Sequence, residues 1–201
     1  MSPSGGADFS VYSGDMHKNL PALVVIDVQM GFENPAWGER NNPQAEDNIQ
    51  SLLEGWRAAG APVVLVRHDS VVPGSVLAAG QPGNEFKPGI DGAHDLLVTK
   101  SVNSAFYGTP NLEEWLRKNA ISGVVICGLI TNHCCETTAR MAGNLGFETY
   151  FVLDATATFP RETKFGTATA DELWRATAIS IDGEFATVVD TPTALQLLED
   201  K

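Results

Sequence analysis

The stretch Gly123-Val-Val-Ile-Cys-Gly-Leu-Ile-Thr-Asn-His-Cys-Cys-Glu-Thr-Thr-Ala-Arg-Met-Ala142 joins a short apolar run to a turn and then to a helical pattern. The run 123–127 is β-branched and unalternating, which is typical of a strand buried on both faces of a parallel sheet. A helix directly after such a strand predicts an α/β unit. The turn places Cys134 at the start of the helix, where free N–H groups and the helix dipole favour a thiolate.

The same alternation of strand and helix runs through the rest of the chain. Further apolar runs predict strands at 22–26, 62–66, 96–98 and 149–153, and a weaker one at 185–189. Helical patterns lie between them at 44–59, 112–119, 134–145 and 168–179. This order predicts a three-layer α/β/α fold around a doubly wound, mainly parallel, Rossmann-like sheet of five or six strands.

Length and charge limit the organisation and the partners of the protein. The chain has 201 residues, 13 Lys and Arg against 25 Asp and Glu, and a net charge of −12. Residues 1–20, rich in Gly and Ser, are predicted to be a flexible extension, and 21–201 a single domain. The negative charge disfavours binding to nucleic acid or to an anionic membrane, and disfavours strongly anionic substrates.

The cysteines and the first residues of the chain bear on its location. Three cysteines, Cys127, Cys134 and Cys135, crowd into one segment, which is poor material for a disulfide framework and fits a reducing compartment. The first twenty residues lack the blocks of a signal peptide, and no apolar stretch is long enough to span a bilayer. A cytoplasmic protein is expected.

Three reactive or charged side chains stand where predicted strands end. Asp27 follows the strand at 22–26, Lys100 the strand at 96–98, and Cys134 the turn after 127. Ligands of doubly wound sheets bind at such carboxyl ends. The turn Gly128-x-x-Thr-x-x-Cys134, which leads into Thr-Ala-Arg140, resembles the nucleophile motif of the isochorismatase-like cysteine hydrolases. Asp27 and Lys100 match that family's acid and lysine, and the resemblance covers about 22–194.

The resemblance implies a function and a set of roles. The chain would be a cysteine-dependent amidohydrolase that cleaves an amide, carbamoyl or ureido C–N bond of a small molecule through a thioester intermediate. Cys134 would be the nucleophile, Asp27 the proton acceptor, and Lys100 the cation of an Asp-Lys-Cys triad. The backbone N–H groups of Ile130 and Cys134 would form the oxyanion hole, beside a cis Leu129–Ile130 peptide bond. No cofactor is implied, and relatives suggest a homo-oligomer, a dimer or a tetramer.

The resemblance points to the metal-free part of the family. The nicotinamidase branch follows its second strand with Asp-x-His and a further His, whereas this chain has Arg67-His68-Asp69 and no other histidine before His94. The ligand pattern is broken, so no metal is expected and nicotinamidase activity is disfavoured. Whether His68 contacts substrate stays open, and His133 is predicted to be a wall residue.

Several residues near the motifs are candidates for substrate binding or support. Gln29 lies two residues past Asp27 and would point to the same side of an extended chain. Aromatic residues follow the motifs and could line a pocket for a flat substrate; they are Phe32, Trp37 and Phe159. The loop 73–88, rich in Gly and Pro, resembles the stretch that many metal-free members of the family place near the site entrance. Thr131 and Asn132 are predicted to shape the turn and cap the helix, and Cys127 and Cys135 to pack in the core.

Two alternatives remain open at this point. One is a hydrolase of a larger amide or a lactam, which pocket volume would separate from a small ureido substrate. The other is a catalytically silent or redox-sensing protein on the same fold, in which the adjacent Cys134 and Cys135 are an oxidation target. A nucleotide-binding module is disfavoured because the chain has no Gly-x-Gly-x-x-Gly after its first strand and no Walker loop.

Overall fold

The core of the protein is a sheet of six parallel strands. The computed structural model describes residues 20–199, so the predicted extension, 1–20, lies outside the described residues except for the buried Leu20. The strands are β1 Ala22–Ile26, β2 Val63–His68, β3 Leu96–Lys100, β4 Gly123–Leu129, β5 Glu148–Ala157, β6 Arg161–Thr163, β7 Gly166–Ala168 and β8 Thr187–Val189. All except β6 and β7 form the sheet, in the order β3-β2-β1-β4-β5-β8. Every neighbouring pair in it is parallel.

Helices cover both faces of this sheet. They are α1 Ala45–Ala59, α2 Leu112–Lys118, α3 Glu136–Asn144, α4 Ala170–Ile181 and α5 Thr191–Gln196. On one face, Val24 and Ile26 of β1 belong to a core cluster shared with α2, α3 and α4. On the other face, Leu23 and Val25 pack with α1 and α5. Alternate residues of one strand thus enter different cores, as expected for a strand buried on both sides. The predicted three-layer fold is confirmed.

The order in which the chain adds strands to the sheet reverses between β1 and β4. From β1 the chain adds β2 and β3 on one side, and then returns to place β4 on the other. The carboxyl ends of β1 and β4 therefore frame a topological switch point, the usual binding crevice of such sheets. Gly128 is paired with Ile26 there, at φ 125°. A Cβ on Gly128 would lie 2.1 Å from the Ile26 carbonyl oxygen, so only glycine lets the strands meet this closely.

Some elements differ from the sequence prediction. The antiparallel hairpin β6–β7 was not predicted, because its residues are almost all exposed and leave no buried periodicity. The short α5 was missed as well, and α3 begins two residues later than expected because a π-helical turn, Thr131–Cys135, precedes it. Among residues 20–199, the helices are all too short or too polar to cross a lipid bilayer.

Candidate active site

Four neighbouring strands bring their carboxyl ends together at the switch point. Asp27 directly follows β1, His68 ends β2, Lys100 ends β3, and Cys134 lies in the turn after β4. Since the sheet order is β3-β2-β1-β4, these side chains come from consecutive strands. The expectation that the strands carrying Asp27, Lys100 and Cys134 lie close together is confirmed.

Asp27 and Lys100 form a buried ion pair. Lys100 Nζ donates to Asp27 Oδ2 at 2.6 Å, and neither side chain is exposed. Asp27 has a left-handed backbone, with φ 52°, a conformation that Asp and Asn tolerate better than most residues. Its N–H is held by the Val66 carbonyl of β2. Asp27 Oδ1 is buried without a hydrogen-bond partner among the described residues, so one carboxylate oxygen is free to accept a proton.

The Cys134 thiol faces this ion pair. A carboxylate oxygen of Asp27, a ring nitrogen of His68 and Cys134 Sγ all lie within 4.8 Å of one another. The thiol also donates to Asn103 Oδ1 at 3.6 Å, in the loop after β3. Cys134 is 7% exposed, whereas Cys127 and Cys135 are completely buried in the core, as predicted. Of the three thiols, Cys134 alone combines some exposure with a polar neighbourhood.

The electrostatics of Cys134 differ from the sequence expectation. Burial raises the pKa of the Cys134 thiol well above its ordinary value, the Asp27 carboxylate raises it further, and Lys100 acts in the opposite direction. A resting thiolate, expected from the helix N-terminus, is therefore not favoured. The reason is non-local: desolvation and the facing Asp27 carboxylate both favour the neutral thiol.

The ion pair itself is strongly coupled. Burial raises the pKa of the Asp27 carboxyl, against the effect of Lys100. Burial lowers the pKa of Lys100, but Asp27 and Cys134 together outweigh it and the pKa is raised. The 2.6 Å contact pairs the Lys100 ammonium with the charge of one carboxylate. Transfer of a proton from Cys134 to Asp27 moves the negative charge from the carboxylate to the sulfur and leaves the net charge of the site unchanged. Loss of the same proton to solvent would instead add a second negative charge to a buried site.

Gln29 supports the backbone of His68 instead of facing a substrate. Gln29 Oε1 accepts from the His68 N–H at 2.8 Å, while Gln29 Nε2 donates to the carbonyls of His68 and Asn84 at 3.0 and 2.9 Å. Both amide donors are used and the side chain is fully buried. The substrate-binding prediction for Gln29 is not supported, because the left-handed turn at Asp27 breaks the two-residue alternation on which it rested.

The nucleophile turn is fixed by cross-strand contacts. Its Leu129–Ile130 peptide bond is cis, as the resemblance implies. Thr131 Oγ1 donates to Thr156 Oγ1 at 2.9 Å, and Asn132 Oδ1 accepts from the Thr158 hydroxyl. Neither Thr131 nor Asn132 caps α3, whose first turn has no side-chain cap. The prediction that they cap the helix is wrong because their partners lie on β5 and just beyond it, far away in sequence.

The predicted aromatic residues form a cluster behind this turn. The ring centroids of Phe32 and Trp37 are 5.4 Å apart, and those of Trp37 and Phe159 are 5.7 Å apart. Phe32 and Phe159 are buried against Leu129 and Ile130. These contacts support the position of Ile130, a predicted oxyanion donor, and a substrate contact for the aromatic residues stays a prediction.

A pocket of about 540 Å³ opens at the loop after β3. Its lining is Ser101, Val102, Asn103, Ser104, Tyr107 and Thr137. Asn103 connects it to the thiol, and Ser101 directly follows Lys100. None of the lining side chains carries a charge at neutral pH. The pocket suits an uncharged group.

The histidines and acids considered for a metal do not meet. Asp69 pairs with Arg67, and His94 is bonded to the Gly92 carbonyl on an exposed loop. Within residues 20–199, the donors that do cluster are Asp27, His68 and Cys134. Lys100 Nζ already lies 2.6 Å from Asp27 and 3.2 Å from His68 Nδ1, so the chain itself supplies a cation to this cluster.

Sequence reasoning missed Asn103 and did not predict the contact between His68 and Lys100. Asn103 has no local signal, since only the path of the loop after β3 brings it to Cys134. His68 did have one: it ends a buried strand, as Lys100 does, and the two residues are register partners. The sequence analysis treats His68 as part of a broken metal-binding pattern and therefore does not predict its contact with Lys100.

Comparisons with known proteins identify the family of the chain. The family model of the isochorismatase domain matches residues 21–191. YrdC of Bacillus subtilis, described as an uncharacterized isochorismatase family protein, is 44% identical and covers 89% of this chain and 95% of its own. Nicotinamidase 3 of Arabidopsis thaliana is 32% identical and covers 94% of each chain. The crystal structure of an isochorismatase-family protein from Chromobacterium violaceum superposes with a TM-score of 0.86, at 40% identity, over 90% of this chain and 95% of that one.

Proposed function

The chain belongs to the isochorismatase family, and on that premise we propose that it is a cysteine hydrolase that cleaves the C–N bond of a small uncharged amide, carbamoyl or ureido compound. One observation carries the proposal: an unpartnered carboxylate oxygen, a buried ammonium and a thiol meet at the switch point. The amide hydrolysis named in Nicotinamidase 3, a relative over nearly the whole chain, supports the same reaction type.

The first half of the reaction forms a thioester. Cys134 Sγ attacks the carbonyl carbon while its proton passes to Asp27, and the C–S bond forms. Asp27 then gives the proton to the leaving nitrogen, the C–N bond breaks, and ammonia or an amine departs. Because the thiol proton moves inside the site, the raised pKa of Cys134 does not prevent attack; the thiolate forms only as the reaction proceeds.

The second half restores the enzyme. Water attacks the thioester, Asp27 takes one of its protons, the C–O bond forms and the C–S bond breaks. The thiol recovers its proton and the carboxylic acid is released. In both halves the developing oxyanion is stabilised by the N–H groups of Ile130 and Cys134, and Lys100 balances the charge shared by Asp27 and Cys134. The sum is amide plus water giving acid plus ammonia or amine.

Charge and pocket chemistry support an uncharged substrate. The net charge of −12 repels anions, and Lys100 is already paired with Asp27. Hydroxyl and amide groups of the pocket at the loop after β3 would bind the polar part of a substrate, and Val102 and Tyr107 its apolar part. A volume of about 540 Å³ admits an aromatic carboxamide and leaves room for larger amides.

The redox-sensing alternative is less well supported by the same site. A thiol that senses oxidants needs thiolate character and exposure. Burial raises the pKa of all three thiols, and Cys127 and Cys135 have no exposed surface. Peroxide would therefore reach Cys134 first but meet little thiolate.

Ammonia release tests the proposal. The wild type is incubated with aromatic and aliphatic carboxamides and a ureido compound, next to Cys134→Ala and the matched neighbour variant Cys135→Ala. A lactam is tested in the same three proteins by mass spectrometry of the ring-opened product, because its hydrolysis releases no ammonia. At least one neutral substrate should be hydrolysed, with a loss of about 10³-fold or more in Cys134→Ala and a change of only a few fold in Cys135→Ala. Equal activity in Cys134→Ala would overturn the proposal.

A further inference from the structure

His68 lies opposite the Lys100 ammonium and presents its ring nitrogen Nδ1 to it as a hydrogen-bond acceptor. The two residues are Cα partners across β2 and β3, and Lys100 Nζ lies 3.2 Å from His68 Nδ1. A lysine ammonium has only donors, so Nδ1 must be unprotonated and the ring proton must sit on Nε2.

The charges around the ring keep it neutral. Burial lowers the pKa of His68 and the Lys100 ammonium lowers it further, while Asp27 and Asp69 act in the opposite direction. The Cys134 thiol is the remaining titratable group facing it within 4.8 Å. A neutral imidazole beside an ammonium is a hydrogen-bond acceptor and not a competing cation.

The backbone of His68 is held more firmly than that of an ordinary strand end. Its N–H donates to Gln29 Oε1, and its carbonyl accepts from both Gln29 Nε2 and Asn84 Nδ2, at 2.8, 3.0 and 2.9 Å. Gln29 and Asn84 are themselves buried. Three hydrogen bonds from two buried amides fix the position from which the imidazole reaches Lys100.

We propose that His68 is a positioning residue of the hydrolysis: its Nδ1 orients the Lys100 ammonium between Asp27 and Cys134. A lysine side chain is flexible and its ammonium can rotate, but acceptors at Asp27 Oδ2 and His68 Nδ1 fix two of its three N–H directions. The third N–H is then left for the charge that develops on Cys134, a neighbour that raises the pKa of Lys100. This inference rests on the proposed function for its role in turnover, and on geometry alone for the coupling of His68 to Lys100.

Two variants separate positioning from a purely structural role. His68→Asn can place Oδ1 near the position of Nδ1 and so keep an acceptor, whereas His68→Leu removes it at similar volume. With a substrate of the wild type, His68→Leu should lose about 10- to 100-fold in kcat with little change in KM, because the cation is misplaced and binding is not. His68→Asn should stay within a few fold of the wild type. Equal values for the two variants would overturn the inference.

A second readout needs no substrate. Since Lys100 lowers the pKa of Cys134, a displaced ammonium should slow alkylation of Cys134 by iodoacetamide in His68→Leu, and His68→Asn should behave as the wild type. Identical alkylation profiles in the two variants would refute the coupling. If Cys134→Ala still hydrolyses amides while the alkylation profiles differ as expected, the proposed function fails and the coupling stands. If Cys134→Ala is inactive and the two alkylation profiles coincide, the proposed function stands and the coupling of His68 to Lys100 is refuted.

Discussion

Lys100 Nζ lies 2.6 Å from Asp27 Oδ2 in the interior of the protein, and the other carboxylate oxygen of Asp27 has no hydrogen-bond partner among the described residues. A buried ion pair is poor evidence for stability, because desolvation offsets much of its attraction. An unpartnered oxygen is unfavourable as well. Both features are consistent with a carboxylate arranged to exchange protons with Cys134 and water.

Asp27→Asn should separate reactivity from turnover. The substitution keeps the shape and suits the left-handed backbone. Amide hydrolysis should fall by about 10³-fold, since the proton acceptor is lost. Alkylation of Cys134 should become faster at neutral pH, because the carboxylate that raises the thiol pKa is gone while Lys100 remains. Peptide mass spectrometry after limited iodoacetamide treatment measures this for each cysteine. A parallel decline of alkylation and hydrolysis would contradict the account.

Gln29→Leu should lower stability. The variant leaves the buried N–H of His68 and the Asn84 carbonyl without their partner, which costs about 2 to 4 kcal/mol of unfolding free energy in total. Urea unfolding followed by circular dichroism measures the loss. Gln81→Leu is the matched control, since Gln81 is exposed and should change stability by less than about 0.5 kcal/mol. An equal change in unfolding free energy in Gln29→Leu and Gln81→Leu would show that the hydrogen bonds of Gln29 do not stabilise the fold.

Gly128→Ala should be the more damaging of two glycine substitutions. The added Cβ would lie 2.1 and 2.6 Å from backbone atoms of Ile26, which have no room to move between β1 and β4. We expect a loss of about 3 kcal/mol or more, or failure to fold. Gly166→Ala has a similar positive φ of 122° but open space, and should lose only about 1 to 2 kcal/mol. Similar unfolding midpoints would contradict the close approach.

Glu46→Gln should change the acid stability of the protein. Burial raises the pKa of Glu46, but hydrogen bonds from Arg40 and Lys87 outweigh it and lower the pKa from 4.5 to about 2. A lowered folded-state pKa contributes stability above pH 4.5 that is lost as the pH falls through about 2. The wild type should therefore exceed Glu46→Gln by about 1 kcal/mol at pH 6, and the difference should vanish near pH 2.

Thermal unfolding of both proteins from pH 2 to pH 7 measures this difference. Glu54→Gln is a suitable control, because Glu54 lies exposed on the same helix and in no described ion pair. A gap between wild type and Glu46→Gln that stays constant with pH would indicate that Glu46 acts through packing and not through charge.

Much of the fold follows from local sequence. Buried parallel strands leave continuous apolar runs, and their carboxyl ends locate Asp27, Lys100 and the turn before Cys134 without any structure. The exposed hairpin β6–β7 leaves no such run. The fold can therefore be predicted from sequence where burial imposes a pattern of apolar residues, and not where a segment lies on the surface.

Non-local contacts account for what sequence could not predict in the site. The left-handed backbone of Asp27 turns Gln29 towards His68 and away from the crevice. The pKa of Cys134 is set by burial and by a carboxylate 107 positions away in sequence, which no helix-end argument includes. The position of His68 at the edge of the sheet can be predicted because it ends a buried strand. Its contact with Lys100 depends on the register of β2 and β3, which the sequence does not show.

The most direct test of the central claim is a rapid-mixing experiment on Asp27→Asn with p-nitrophenyl acetate, a neutral ester whose leaving group needs no proton. Cys134 should attack and release one nitrophenolate per protein, and the acetyl thioester should persist because Asp27 is absent to activate water. Intact-protein and peptide mass spectrometry should then find one acetyl group, on Cys134. No burst, or an acetyl group on Cys127 or Cys135, would contradict the assignment of Cys134 and Asp27.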